Sequence, residues 1–283
     1  MRAPYISVVI PCHNSGDSVA DAVDSVLKQD FPEAEREIIV VNGGSTDRTS
    51  EILRHYKDKI RVIDLPDLGQ GESYRHAVRA ARGEIIAALD GDDVWLPRKL
   101  ELVAGAFGTV KETVVFAHPG LSADADLRVR DAEAAGAQPS GEFLETAEIL
   151  SLALELKNDD PMKRLSPFFK GGGSWFAAKK SVARLDGALN LPRFCADTLY
   201  KWIALSYGGQ AVFWPAPLYL HRCHGSNSTN RVSAEQWESA GVEIAHIISP
   251  FVEPHKTPAL HRVMRINMLH LVAREILSSA RGR

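Results

Sequence analysis

The sequence predicts an α/β fold built on a mostly parallel sheet, and three observations carry that prediction. Short β-branched runs at 6–10, 37–41, 60–65 and 84–89 alternate with stretches of helical apolar spacing at 18–29, 46–56 and 72–81. That alternation implies strand–helix–strand units, which assemble into parallel sheets covered by helices. Three of the strand runs end in polar loops rich in Gly, Asn or Asp, namely 11–14, 42–45 and 90–93. In open parallel sheets the ligand crevice lies at the carboxyl ends of the strands, so three such loops converging there point to a site.

Each element has its own justification. The run at 6–10 is bounded by Pro11 and Asn14 and reads as a buried strand. Within 18–29, Val19, Ala22, Val23, Val26 and Leu27 share one helical face. A Gly-rich turn, Gly69 to Gly71, opens the helix at 72–81, and Gly83 closes it. A further strand is expected at 113–116. The segment 122–141, rich in Ala, Asp and Gly, reads as a mobile surface loop, and 142–156 as a helix. Gly171 to Gly173 reads as a hinge or a close approach to a ligand. A helix at 197–206 and a short strand at 211–214 follow. Beyond residue 230 the pattern is wholly helical, at 234–248 and in a basic, amphipathic 259–277, with Pro250, Pro254 and Pro258 between them.

Composition excludes several classes. A hydrophobic fraction of 45% with 24% charged residues is that of a soluble globular protein, and 283 residues suffice for one large α/β domain with a helical tail. The net charge of -3 offers no whole-molecule attraction to nucleic acid, which is not an expected partner. Cys12, Cys195 and Cys223 are odd in number and far apart, which argues against a disulfide framework and for a reducing, cytoplasmic setting. No run approaches the roughly 18 consecutive apolar residues of a spanning helix, so any membrane contact is expected to be peripheral. The first residues show no basic-then-apolar leader, and no signal peptide is expected.

Three segments carry a family resemblance: Ser7-Val-Val-Ile-Pro-Cys-His-Asn14, Ile38-Ile-Val-Val-Asn-Gly-Gly-Ser-Thr-Asp-Arg-Thr49 and Gly83-Glu-Ile-Ile-Ala-Ala-Leu-Asp-Gly-Asp-Asp-Val-Trp-Leu-Pro-Arg-Lys-Leu100. Together they resemble family-2 glycosyltransferases of the GT-A fold. A weaker match continues through Asp186-Gly187, Asp197 and Arg222-Cys-His-Gly-Ser-Asn-Ser228. The resemblance implies a GT-A type, Rossmann-like, mostly parallel sheet flanked by helices over residues 1–230. The nucleotide-binding part would be about 1–120 and the acceptor part about 121–230, with a helical C-terminal extension at 231–283. It further implies an inverting transfer of sugar from a nucleotide-diphosphate sugar to a carbohydrate or other hydroxyl acceptor, with Mn²⁺ or Mg²⁺.

Such a transfer needs a neutralised diphosphate, a deprotonated acceptor hydroxyl and in-line alignment. Read alone, Asp90-Gly91-Asp92 is either a plain turn or two carboxylates aimed at one hard cation. The resemblance makes it the family's DxD motif, in which Asp92 is the usual metal ligand, assisted by Asp90; Asp93 would hold the loop or the sugar. Pro11, His13 and Asn14 would cradle base and ribose, with the flat His13 ring stacking on the base. Relatives often carry two acids where this chain has Asn42 and Gly43, which leaves the base identity open. Asp47 reads as a base or ribose contact, or as a cap for the following helix. The resemblance places Arg75 near the phosphates, Arg222 on phosphate and His224 on metal or phosphate. Asp197 is the expected general base, with Asp186 as the backup, although an Asp before a helix is also a common cap. Gly171 to Gly173 with Ser174 and Trp175 would shape the acceptor pocket, or Trp175 reads equally as a core residue.

Two other classes stay open at this point. A nucleotidyltransferase shares the sheet, the nucleotide and the cation, but favours a Gly-rich basic loop after the first strand, unlike Pro11-Cys-His-Asn14. A catalytically weak, sugar- or partner-binding descendant of a transferase would explain the reduced acid content at Asn42-Gly43 and Ala196-Asp197. The 259–277 helix admits packing on its own domain, a lid, a homodimer contact or a membrane-surface role.

Overall fold

The computed structural model describes residues 6–129, 143, 147–151, 174, 176–183, 209–225 and 233. Its first half alternates as expected: β1 (Ile6–Cys12), α1 (Val19–Leu27), β2 (Arg36–Gly43), α2 (Thr49–Arg54), β3 (Arg61–Leu65), α3 (Gln70–Ala80) and β4 (Ile85–Ala88). Then come β5 (Val94–Trp95), α4 (Lys99–Thr109), β6 (Thr113–Ala117), β7 (Leu121–Ala123), β8 (Glu148–Ser151), β9 (Phe176–Lys179), α5 (Lys180–Ala183), β10 (Gln210–Phe213) and β11 (Tyr219–Arg222).

Eight strands form one sheet in the order β3-β2-β1-β4-β9-β6-β10-β8. The pairs β1–β2, β1–β4, β2–β3 and β6–β10 are parallel, whereas β9 runs antiparallel to both β4 and β6, and β8 antiparallel to β10. Every residue of β1, Ser7 included, is buried, so this central strand is covered on both faces, which explains the apolar run at 8–10. The helix α3 packs on β1 and β2, and α4 on β6. A second, three-stranded sheet, β5-β11-β7, sets β11 beside the short strand that follows the acidic turn.

Two sequence expectations are corrected. The loop expected over 122–141 starts later, because Ser122 and Ala123 belong to β7 and pair with β11; residues 130–141 lie outside the described residues. The helix expected over 142–156 is replaced at Glu148–Ser151 by a strand paired with β10. There, cross-strand pairing overrides a weak helical pattern. Helix α4 escaped the sequence reading because Leu100, Leu102, Val103, Ala104 and Ala106 are all buried, leaving no polar stripe to mark its period. The helices expected at 197–206 and past residue 230, the Gly171 to Gly173 segment and Trp175 lie outside the described residues.

At the amino ends of the strands, remote from the candidate site, one carboxylate ties three segments together. Glu37 in β2 accepts from Ser7 Oγ (2.6 Å), Arg82 N (2.6 Å) and Arg82 Nε (3.0 Å), while Gly83 N donates to Ser7 Oγ at 2.9 Å. Burial alone would raise the Glu37 carboxyl, but these hydrogen bonds outweigh it and hold it below its ordinary value of 4.5. A carboxyl depressed in the folded state adds stability that is complete above the unfolded value and is lost as pH falls through the folded one. Glu37→Gln should therefore cost about 1–3 kcal/mol near neutrality, measured by urea denaturation. That cost should shrink as pH drops from about 6 to below about 4, and a pH-independent cost would show that the charge is not what these donors hold.

Candidate active site at the carboxyl edge of the sheet

The loops after β1, β2 and β4 meet at one edge because their strands are adjacent and parallel. His13 Nδ1 donates to the Gly43 carbonyl at 2.7 Å, and Asn14 Nδ2 donates to His13 Nε2 at 3.2 Å. The exposed imidazole is thus held at both nitrogens. Asn14, at a positive φ of 50°, receives Thr46 N on its side-chain oxygen at 2.8 Å and donates its own N–H to Ser45 Oγ at 2.9 Å. Asp47 accepts from Gly16 N (2.9 Å) and Thr49 N (3.0 Å), so it joins the same two loops and leads into α2. It bonds Thr49 N and Oγ1 just ahead of α2, while the cap position itself is Arg48.

Asn42 is 3% exposed and turns inward. Its amide donates to Ser50 Oγ (2.9 Å) and Asp64 Oδ1 (2.8 Å), so both donor hydrogens serve the protein rather than the open edge. Gly43 beside it presents only backbone.

The acidic turn is built against β1. A Cβ on Gly91 would stand 2.7 Å from Cys12 Cβ and 3.1 Å from the Pro11 carbonyl oxygen, closer than side chains tolerate. Only glycine allows this approach. Gly91 N donates to Pro11 O at 3.2 Å and Ser18 Oγ to Gly91 O at 3.0 Å, so the turn is fastened to β1 and to the start of α1. Asp90 Oδ1 accepts from Tyr74 Oη (3.3 Å) and Gln70 Nε2 (3.4 Å) on α3. Asp93 is 1% exposed, and its carboxylate accepts from Ser174 Oγ (2.6 Å), Arg222 N (3.1 Å) and His221 Nδ1 (3.1 Å).

Strand β11 delivers the remaining groups. His224 Nε2 lies 3.1 Å from Asp92 Oδ2. The Arg222 guanidinium is buried and donates to Asp92 O (2.9 Å), Asp21 Oδ2 (2.6 Å) and Ala125 O. In this arrangement Arg222 braces the turn from behind. His221, which the sequence reading passed over, has its imidazole oriented by Asp93 and its side chain 35% exposed. Arg75, on α3, pairs with Glu72 at 3.1 Å. Asp197, Asp186 and Ser226 to Ser228 lie outside the described residues.

Burial, then the neighbouring Asp93 carboxylate, push the Asp92 carboxyl above its ordinary value, with His224 opposing them. Both leading causes disfavour the ionised carboxylate. The Asp93 hydrogen bond raises His221 against the opposing effect of burial. A hard divalent ion fits the donor chemistry. Asp92 Oδ2 and His224 Nε2 are as far apart as two adjacent ligands on an octahedral ion with bonds of about 2.1 Å, which stand about 3 Å apart. No cluster of three or more His, Cys, Asp or Glu suited to a metal occurs among the described residues. Two protein donors with the other positions open is how Mg²⁺-like ions are held beside phosphates.

Comparisons with known proteins agree with this architecture. A family model for glycosyl transferase family 2 matches residues 7–162, just over half of the chain. An uncharacterized glycosyltransferase of Nostoc sp. is 33% identical over 135 residues, covering 46% of this chain and 41% of the relative. The poly(ribitol-phosphate) beta-N-acetylglucosaminyltransferase TarS of Staphylococcus aureus is 34% identical over 91 residues, 31% of this chain and 16% of TarS. The chain thus spans about two fifths or less of the length of these relatives. Among solved structures, TarS 1-349 in complex with UDP-GlcNAc superposes with a TM-score of 0.63 at 20% identity, covering 89% of this chain and 72% of that one. A mannosyltransferase of Pyrobaculum calidifontis in complex with GDP-Man and Mn²⁺ gives 0.56 at 17% identity, over 100% of this chain and 77% of that one. These similarities establish the GT-A type fold, and the family match fixes the membership: the chain belongs to glycosyl transferase family 2.

Proposed function

We propose that the protein is an inverting glycosyltransferase that moves a sugar from a nucleotide-diphosphate sugar to an acceptor hydroxyl, using Mn²⁺ or Mg²⁺. The observation that carries this reading is the acidic turn, set at the mouth of the sheet with Asp92 facing His224. The structural neighbours bound to UDP-GlcNAc and GDP-Man support the donor class, and the second of them supports the cation. A bound divalent ion would supply positive charge to the diphosphate as it leaves. Asp92 and His224 would hold that ion, with Asp90 beside them. The His13 ring, fixed in place before the donor arrives, would stack on the base, while Pro11, Asn14 and the Gly43 backbone bound the same loop cluster. Arg75 would meet the phosphates. Asp197 would take the acceptor's proton as its oxygen bonds to the anomeric carbon and the bond to the diphosphate breaks. In this reading residues 1–120 bind the nucleotide and 121–230 the acceptor. Cys12 and Cys223, both free thiols, fit a reducing cytoplasmic setting. Among the described residues no helix is long and apolar enough to cross a membrane.

A thermal-shift series with UDP-, dTDP- and GDP-sugars, with and without Mn²⁺, tests the donor class. At least one donor should raise the melting temperature in a Mn²⁺-dependent way, and no response to any of them would overturn the proposal. Asp92→Ala should abolish metal-dependent donor binding while the chain stays folded; unchanged affinity on calorimetry would remove the metal assignment. Asp197→Asn should leave donor binding nearly intact and lower turnover by about 10²–10⁴-fold. Normal turnover in that variant would move the base to another residue.

A further inference from the structure

Two buried polar side chains near the acidic turn have no part in the proposed transfer. Ser174, fully buried, accepts from Asp90 N at 2.9 Å and donates to Asp93 Oδ2 at 2.6 Å. One hydroxyl therefore holds the first and last residues of the Asp90–Asp93 turn at once, from a segment more than 80 residues further along the chain. Lys99, also with no solvent exposure, donates from Nζ to the Ser174 carbonyl and lies over the Trp95 ring, 4.2 Å from its centroid. A buried ammonium is costly unless it is paired and hydrogen-bonded. Burial pushes the Lys99 amine well below its ordinary value, and the carboxylates of Asp93 and Asp90 oppose that shift without reversing it.

Other groups also fasten the turn: Pro11 and Ser18 hold Gly91, Tyr74 and Gln70 hold Asp90, and Arg222 holds the Asp92 carbonyl and the Asp93 carboxylate. Within the turn Asp93 N donates to Asp90 O at 3.1 Å, and Ser174 reinforces that closure from outside by bonding both ends that flank Asp92. A hydroxyl with one donor and two acceptor sites can do this only in one rotamer, and the Lys99 bond to the Ser174 carbonyl fixes the backbone carrying it.

We propose that Ser174 and Lys99 are positioning residues that hold the Asp90–Asp93 turn in the geometry that presents Asp92 to a divalent cation. This inference rests on the reading of Asp92 as a metal-binding residue. Groups behind a metal ligand that orient it commonly change metal affinity by about 10–100-fold when removed.

The test is Mn²⁺ binding by the full 283-residue chain, followed by electron paramagnetic resonance of free Mn²⁺, for the unmodified protein, Ser174→Ala and Lys99→Met. Val115→Ala, a buried change in β6 away from the turn, serves as the control for general destabilisation. Ser174→Ala and Lys99→Met should each weaken Mn²⁺ binding by about tenfold or more, while Val115→Ala leaves it unchanged despite a lower melting temperature. Mn²⁺ affinity in both variants equal to that of the unmodified chain would overturn the inference alone. Equal weakening in the Val115→Ala control would overturn it as well, by reducing the effect to stability. Failure of the unmodified chain to bind Mn²⁺ would overturn the metal reading and the inference with it. Should Ser174→Ala not fold, Lys99→Met decides the matter by the same criterion.

Discussion

The site depends on a carboxylate kept almost wholly out of water. Asp93 is 1% exposed, and a charge so placed is tolerable only when donors surround it. Ser174, the Arg222 backbone and His221 are those donors, and they come from two segments distant in sequence. Satisfying one buried charge thus draws β11 and the start of β9 onto the turn that follows β4. Once Arg222 N is bonded to Asp93, the chain two residues on brings His224 to Asp92. The Asp92–His224 pair is a consequence of how the buried acid is solvated by the protein.

A second constraint is steric. Gly91 lies so near Cys12 that a methyl group would collide with β1, and this closeness draws the acidic turn against the loop carrying His13. A nucleotide at this edge would have its base and its phosphates contacted by neighbouring strand ends of one rigid sheet. The burial of β1 on both faces supplies that rigidity. Preorganisation of this kind reduces the ordering cost of binding.

Much of the first half was legible from the residues because its signals are local. The strands β1, β2 and β4 carry buried apolar runs at 8–10, 38–41 and 85–88, and the loops after them carry the polar residues that the sheet gathers at one edge. What escaped is set by distant partners. Phe176–Lys179 contains two alanines with little strand preference, and becomes a strand only because β4 and β6 flank it. Glu148–Ser151 looked helical until β10 supplied a partner. In the site, Asp92 and His224 were singled out from sequence and are brought together, whereas the side chains of Asn42 and Arg222 turn to internal acceptors. A sequence names a donor but not the acceptor that reaches it first. His221 and Lys99 were missed, and Ser174 was assigned to the acceptor pocket instead of the turn, for the same reason: the Asp93 contacts of His221 and Ser174 span 128 and 81 positions. The one local hint was a lysine embedded among the apolar residues of α4.

The position of β9 has a consequence for how the chain is made. It fills the place between β4 and β6, yet 87 residues separate Ala88, at the end of β4, from Phe176. During synthesis at about 5–20 residues per second, the outer edge of β4 waits roughly 4–17 seconds for its native neighbour. A bare, wholly apolar strand edge is a template for pairing with other chains. The strands β1 to β4 can therefore pair before β9 exists, leaving the outer edge of β4 adhesive until Phe176 has been made.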